Sequence, residues 1–208
     1  MDSKLSPLQR RILALLRGCD PRWTLTGGGA LVGYVLGHRT TRDLDLFFKG
    51  LWQLDTLPRE IEGTLRAAGL EVRSVRSAPA FHRLEVRDEQ EAVLVDLVAE
   101  PIPPIEVATE LEPGILVDTP HELLVNKVCA LFGRVAIRDL VDVAALLEAG
   151  GDLERALRDA PRKDGGFSPP SLAWVLQSLE VEKLAQSAGY DGAALCAFRD
   201  HLVDRLLR

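Results

Sequence analysis

Two aspartates, Asp43 and Asp45, alternate with leucines in the segment DLDLFFK. Because side chains alternate between the two faces of a strand, both carboxylates project from the same side, about 7 Å apart. Carboxylates this close repel each other, so they need either a cation between them or a solvated face. The first alternative is a metal site, and the second is a charged strand edge that protects against aggregation.

A third aspartate, Asp96, lies within the apolar run AVLVDLVAE. A run that is apolar on both faces is typical of a central, buried strand. An unpartnered buried carboxylate costs on the order of several kcal/mol, so Asp96 must be paired, protonated or bound to a metal. If its strand neighbours the first one, three carboxylates come together, and such oxygen ligands suit Mg²⁺. The alternatives are a core aspartate with satisfied hydrogen bonds and a strand with one exposed face.

Three glycines, Gly27, Gly28 and Gly29, come before a predicted helix and the Asp-x-Asp strand. Glycine lets the backbone approach a phosphate closely, and the amides at a helix N-terminus bind anions. Two Mg²⁺ ions at the three carboxylates would activate an attacking oxygen and stabilise a leaving one. Phosphoryl or nucleotidyl transfer from a nucleoside triphosphate is indicated by the combination of the glycine run, the Asp-x-Asp pair and the later strand aspartate.

The segment LTGGGALVGYVLGHRTTRDLDLFF resembles the first motif of the AbiEii/AbiGii-type nucleotidyltransferase toxins, within the DNA polymerase β-like superfamily. That motif joins the glycines to a Gly-His-Arg, a Ser/Thr and the paired aspartates, here Gly37, His38, Arg39, Thr41, Asp43 and Asp45. The later segment NKVCALFGRVAIRDLVDVAALL is similar to the family's lysine-bearing helix and Arg-Asp-x-x-Asp helix. It supplies Lys127, Arg134, Arg138, Asp139 and Asp142. The resemblance covers roughly residues 22–148.

The resemblance implies a role for each matching residue. The metal ligands would be Asp43, Asp45 and Asp96, and Asp96 would also accept or orient the proton of the attacking hydroxyl. Further catalytic roles fall to Lys127, as a cation facing the triphosphate, and to Asp139. The nucleotide-binding residues would be Gly27, Gly28, Gly29, Arg39, Thr41, Lys127 and Arg138. The structural alternatives are an exposed helix lysine, a surface ion pair of Arg39, and acidic residues that favour a helix N-terminus.

The implied activity is Mg²⁺-dependent transfer of a nucleoside monophosphate from a nucleoside triphosphate to an acceptor hydroxyl. RNA such as tRNA is the expected acceptor, and the protein would be a toxin with a cognate antitoxin. An enzyme that modifies a small molecule or a protein is the first alternative. A non-catalytic nucleotide-binding module and a purely structural α/β protein are the others.

Charge and hydropathy exclude some classes of protein. The 208 residues carry a net charge of −6, which argues against a broad basic surface for nucleic acid but allows a local basic cleft. No apolar run approaches the roughly 20 residues that span a bilayer. We therefore expect a cytoplasmic protein that does not associate with a membrane.

The order of elements predicts an α+β fold, with a small mixed sheet as nucleotidyltransferase core (residues 1–118) and an all-helical C-terminal half (residues 119–208). In the first half, Asp55 is the expected cap of a helix over roughly 56–68. Weak strand signals lie near residues 105–107 and 115–117. The last two helices are expected near residues 170–179 and 191–207.

Overall fold

The computed structural model describes residues 4–134 and 136–208. Contacts group the chain into an N-terminal unit, up to Thr119, and a C-terminal unit, Pro120–Arg208. The N-terminal unit contains a seven-stranded mixed sheet, and the C-terminal unit is helical. The predicted α+β fold is therefore confirmed. No helix among the described residues is long and apolar enough to cross a membrane.

The sheet of the N-terminal unit has the strand order β3-β4-β5-β2-β1-β7-β6. The pairs β2–β5 and β1–β7 are parallel, and the other neighbours are antiparallel. The strands are β1 (Thr24–Thr26), β2 (Asp43–Lys49), β3 (Glu71–Ala78), β4 (Phe81–Arg87), β5 (Ala92–Glu100), β6 (Thr109–Glu112) and β7 (Ile115–Val117).

Alternation along β2 gives the sheet one apolar and one polar face. Leu44, Leu46 and Phe48 are fully buried, whereas Asp43 and Asp45 on the opposite face are partly exposed. Burial of the apolar face stabilises the sheet by about 25 cal/mol for each Å² removed from water. Because the period is two, this burial fixes which face carries the carboxylates.

Among the described residues of the N-terminal unit, three helices accompany the sheet: α1 (Pro7–Leu16), α2 (Gly27–Ala30) and α3 (Leu57–Ala67). A π-helical turn over Leu31–Val35 continues α2 directly. Helix α1 contacts α3 and β5, and α3 contacts β3. Both α1 and α3 have apolar residues at helical spacing, and these are buried.

The C-terminal unit consists of helices with short connections. They are α4 (Pro120–Arg134), α5 (Ile137–Glu148), α6 (Leu153–Asp159), α7 (Pro169–Gln177), α8 (Val181–Ser187) and α9 (Gly192–Leu206), and a 3₁₀ turn over Ala160–Arg162 follows α6. Helix α4 packs against α5, α6 and α7, while α9 packs against α7 and α8.

Three local predictions were wrong or incomplete. The strand expected near residues 105–107 lies instead at Thr109–Glu112. Asp55 is not the cap of α3, because its φ is +46° and the cap position belongs to Thr56. Helix α8, which lies between the two helices expected last, was not predicted.

Gln9 of α1 connects the helix to the loop before β2. Its side chain is buried; Oε1 accepts from the Ser6 amide at 2.8 Å, and Nε2 donates to the Thr41 carbonyl at 3.1 Å. The Ser6 hydroxyl in turn accepts from the Gln9 amide, which completes a capping box. Gln9 therefore holds the Thr41 loop against α1.

We predict that Gln9→Leu lowers the free energy of unfolding by about 1–3 kcal/mol, because it leaves two half-buried backbone groups, the Ser6 amide and the Thr41 carbonyl, without their side-chain partner. Urea denaturation measures the change. Gln90→Leu is the matched control, because Gln90 is exposed and only its backbone amide hydrogen-bonds, to Asp88. Equal stability of the two variants would contradict the role given to Gln9.

Candidate active site

The sheet brings the strand aspartates together in one row. Asp45 pairs in register with Asp96 of the parallel strand β5 and with Thr26 of the antiparallel strand β1. Residues directly opposite each other in a sheet share a face, so all three side chains project from the same side. Asp43 lies on that side too, two residues before Asp45. The predicted neighbourhood of the three carboxylates is therefore present.

Arg83 of β4 extends the row by one strand, since it is the register partner of Asp96. Its Nε and one terminal nitrogen donate to the two oxygens of Asp96, both at 2.6 Å. The side chain of Asp96 is 9% exposed and that of Arg83 is 36% exposed. The nearly buried carboxylate is thus satisfied by a bidentate ion pair, the strongest geometry for such a contact.

The pKa of Arg83 reports the charges around it. The hydrogen bonds from Arg83 to Asp96 raise this pKa above its usual value, while burial lowers it. The negative charges of Asp96, Asp43 and Asp45 raise it further. The charge of Arg83 therefore interacts with all three carboxylates.

The three glycines have different surroundings. Gly27 adopts φ +58°, and a Cβ there would overlap the Asp45 carboxylate, 2.9 Å from its Cγ. A Cβ on Gly28 would lie 3.1 Å from both Arg39 Nη2 and Thr41 Oγ1. A Cβ on Gly29 would instead meet Leu25 and Leu44 of the core. Gly27 and Gly28 consequently line the polar face, and Gly29 lets α2 pack closely on the sheet.

Two further groups of the polar face are defined by their hydrogen bonds. Thr41 Oγ1 accepts from the Asp43 amide at 3.3 Å, at the start of β2. Arg39 donates to the Thr40 carbonyl at 2.9 Å, which brings the guanidinium back towards its own loop. The Thr26 hydroxyl is buried and has no hydrogen-bond partner within residues 4–134 and 136–208. An unsatisfied hydroxyl beside Asp45 is the kind of group that a bound ligand satisfies.

The carboxylate row suits a divalent cation in its chemistry but not yet in its side-chain arrangement. In the part of the chain that the structure describes, no group of three or more His, Cys, Asp or Glu residues is arranged as metal ligands. Asp96 directs both oxygens at Arg83. The donors are nevertheless all carboxylates, as Mg²⁺ prefers, and the guanidinium shows that positive charge is favoured there.

The other predicted residues form a cluster inside the C-terminal unit. Lys127 Nζ lies 2.8 Å from Asp139 Oδ1 and 2.7 Å from Asp142 Oδ2. The three side chains are only 7%, 1% and 0% exposed, so an exposed helix lysine is the wrong interpretation. Arg134 donates to both oxygens of Asp139, at 2.8 and 3.0 Å, while 67% of its own side chain stays exposed. Arg138, also predicted to bind nucleotide, is exposed on α5.

The charges of this cluster determine how Asp139 titrates. Burial raises the pKa of Asp139, but the hydrogen bonds from Arg134 and the charge and hydrogen bond of Lys127 outweigh it. The net result is a pKa below the usual value. Asp139 and Asp142 both bind Lys127 because they lie three residues apart on one face of α5.

The comparisons with known proteins agree with these features. The family described as "Nucleotidyl transferase AbiEii toxin, Type IV TA system" matches residues 11–201. The chain belongs to the AbiEii family. The motif resemblance seen in the sequence is thereby confirmed, and the match extends beyond the motifs to α1 and into α9. No curated protein matches the chain.

Two solved structures from Helicobacter pylori share the AbiEii chain's fold. JHP933 superposes with a TM-score of 0.58 at 19% identity, over 96% of this chain and 88% of that one. A protein named "putative nucleotidyltransferase" gives a TM-score of 0.59 at 20% identity, over 97% of this chain and 96% of the other. At such identities the likeness establishes the fold alone.

We predict that Gly27→Ala destabilises the AbiEii chain more than Gly69→Ala does. Both glycines have positive φ, which costs a side chain about 1–2 kcal/mol, but only the Gly27 methyl group would displace Asp45. Gly69 has nothing within 4 Å of the added atom, so it isolates the backbone cost. Urea denaturation measures both free energies of unfolding. If the two variants lose the same free energy of unfolding, the Asp45 carboxylate moves aside without cost.

We predict that acid destabilises the C-terminal unit through Asp139. Because its folded-state pKa is depressed, its contribution is fully present above the unfolded pKa, about 4, and is lost as the pH falls through the folded value. The free energy of unfolding should therefore fall progressively as the pH is lowered below about 4, the unfolded value. Urea titrations followed by circular dichroism at each pH measure it.

The variant Asp139→Asn tests the assignment. It should be less stable than wild type at pH 7 by about 3–5 kcal/mol, because Lys127 and Arg134 lose a partner, and its stability should depend less on pH. Asp204→Asn, an exposed substitution on α9, is the control and should retain the wild-type pH dependence. If the free energy of unfolding of Asp139→Asn depends on pH as it does in the wild type, other carboxylates cause the loss of stability in acid.

Proposed function

We propose that this AbiEii chain transfers a nucleoside monophosphate from a nucleoside triphosphate to the hydroxyl of an acceptor, with RNA such as tRNA as the acceptor. The observation that supports it best is the alignment of Asp45 with Asp96 across β2 and β5, with Gly27 against Asp45. A structural sheet gains nothing from adjacent carboxylates, because they repel each other. Their presence on a partly solvated face favours a site that binds cations.

The cation ligands would be Asp43, Asp45 and Asp96, and Mg²⁺ bound there would stabilise negative charge on the transferred phosphate. Gly27 and Gly28 lack the Cβ that would clash with Asp45, Arg39 or Thr41, so these polar side chains approach the glycine backbone closely. Arg39 and Thr41 lie beside Gly28 and would contact the phosphate oxygens. The Thr26 hydroxyl, which has no partner among the described residues, would donate a hydrogen bond to the bound phosphate.

In the reaction, the acceptor hydroxyl oxygen attacks the α-phosphorus, the bond from that phosphorus to the β-phosphate oxygen breaks, and pyrophosphate leaves. The hydroxyl proton passes to Asp96, whose carboxylate is the most buried of the three. Since both Asp96 oxygens accept hydrogen bonds from Arg83, at least one must be released before it takes a proton. Before it takes the proton, Asp96 would hold the hydroxyl in line with the phosphorus.

The roles of Lys127, Asp139 and Arg138 remain predictions of the same proposal. Lys127 would offset the charge of the triphosphate. Asp139 would orient the Lys127 ammonium, consistent with the 2.8 Å distance between Lys127 Nζ and Asp139 Oδ1. Asp142 competes for the same ammonium at 2.7 Å. The family description, a toxin of a type IV toxin-antitoxin system, supports a cognate antitoxin as the biological partner.

The net charge of the chain affects which class of acceptor it can bind. A net charge of −6 disfavours extended contact with RNA, so a small molecule or a protein remains the second candidate. Incubation with α-labelled nucleoside triphosphates, Mg²⁺, total RNA and total protein distinguishes these acceptors by where the label is found. Label in RNA supports the proposal. Label in protein or in a small product would show that the acceptor is a protein or a small molecule instead of RNA.

We predict that Asp43→Asn and Asp45→Asn each reduce label transfer by at least about a hundredfold while the protein stays folded. Removing one of several like charges should leave the metal-free protein as stable or slightly more stable. Asp204→Asn is the control, because it removes the same charge from an exposed position on α9. Full transfer by either strand variant would eliminate the carboxylate row as the active site.

A further inference from the structure

Arg83 is the member of the carboxylate row that the sequence motifs do not account for. It lies outside both family motifs, on β4, yet it occupies both oxygens of the proposed metal ligand Asp96. The negative charges of Asp43 and Asp45 also act on Arg83, but its two hydrogen bonds go to Asp96. A cation that binds at Asp43 and Asp45 would leave that pair in place.

A cation at Asp96 faces a different situation. Carboxylate oxygens that accept two charge-assisted hydrogen bonds are poor metal ligands until those bonds are broken. The Arg83 side chain is 36% exposed, so it can move into solvent without opening the core. The Arg83–Asp96 ion pair is therefore strong, but it can separate when a cation takes the place of Arg83 at Asp96 and an anion binds Arg83.

We propose that Arg83 blocks cation binding at Asp96 in the nucleotide-free protein, so that Asp96 becomes a metal ligand only when Arg83 is displaced. The inference rests on the proposed function, since it assumes that divalent cations bind to these carboxylates. A bound triphosphate brings the negative charge that draws the guanidinium away from Asp96. The full set of ligands then forms only with substrate present, and the empty enzyme holds an ion pair instead.

The phenyl ring of Phe81 supports this exchange. It lies two residues before Arg83 on the same face of β4, and the Arg83 guanidinium carbon is 5.8 Å from its ring centre. An arginine over an aromatic ring keeps a favourable contact without a carboxylate partner. This contact coexists with the Asp96 pair, and Arg76 lies 5.5 Å from the same ring centre, so a guanidinium that leaves Asp96 keeps a contact it already has.

The experiment is a double-mutant cycle on Mn²⁺ binding, without nucleotide or RNA. Free Mn²⁺ is measured by electron paramagnetic resonance during titration of wild type, Arg83→Gln, Asp96→Asn and the double variant. In the wild-type background, Asp96→Asn should change Mn²⁺ binding little, because Asp96 is already occupied. In the Arg83→Gln background it should weaken Mn²⁺ binding by at least about tenfold.

Arg73→Gln is the matched control for loss of charge. Arg73 lies on the same face of the sheet, on β3, but pairs with Glu85 at 3.2 Å. Arg83→Gln should bind Mn²⁺ at least about tenfold more tightly than Arg73→Gln. If the two bind equally, or if Asp96→Asn weakens binding to the same extent with and without Arg83, the proposal is wrong.

Arg83→Lys keeps the test valid if Arg83→Gln does not fold, because it retains the charge but not the two-pronged contact. It should bind Mn²⁺ severalfold more tightly than wild type, and affinity at or below the wild-type value overturns the proposal. Label transfer is measured separately. Tighter Mn²⁺ binding without transfer would refute the proposed reaction and leave the inference intact, whereas transfer without any Arg83 effect on Mn²⁺ would refute the inference alone.

Discussion

Asp45 and Asp96 are side by side on parallel strands, and the N-terminal unit must compensate the repulsion between them. Two unit charges about 5 Å apart repel by about 3 kcal/mol at an effective dielectric constant near 20. The bidentate contact of Arg83 with Asp96 offsets this cost on one side, and partial exposure of Asp45 to water reduces it on the other. The sheet is stable with its carboxylates adjacent because a cation is supplied from the next strand.

That compensation depends on strand register. Arg83 meets Asp96 because the turn at residues 88–91 sets the pairing of β4 with β5, and a slip of one residue would turn Arg83 towards the apolar core. Glu91, within that turn, accepts from the Ser6 hydroxyl and the Leu8 amide, and Gln9 of the same helix donates to Thr41. Helix α1 thus contacts both the hairpin that positions Arg83 and the loop that leads into β2.

Sequence patterns predicted the features that depend on local periodicity or on a motif. The alternation in DLDLFFK gave the shared face of Asp43 and Asp45, and the apolar run around Asp96 indicated a central strand. Arg83 was missed because its importance comes from a partner thirteen residues away. Reading the Asp88–Glu91 turn as a hairpin would have aligned it with Asp96. The burial of Lys127 was missed because it depends on how α4 packs against α5, which helix periodicity alone does not specify.

The two ion-pair clusters illustrate how burial decides what an arginine or lysine can do. Lys127 and its partners Asp139 and Asp142 are at most 7% exposed, so withdrawing the ammonium would break two buried ion pairs at a cost of about 3–5 kcal/mol, even though Asp139 keeps its contact with Arg134. A ligand would have to provide at least that much to recruit it. Arg83 is 36% exposed, and water can solvate it as it leaves. A bound anion or cation should therefore rearrange the pair on the sheet at lower cost than the buried cluster of the helical unit.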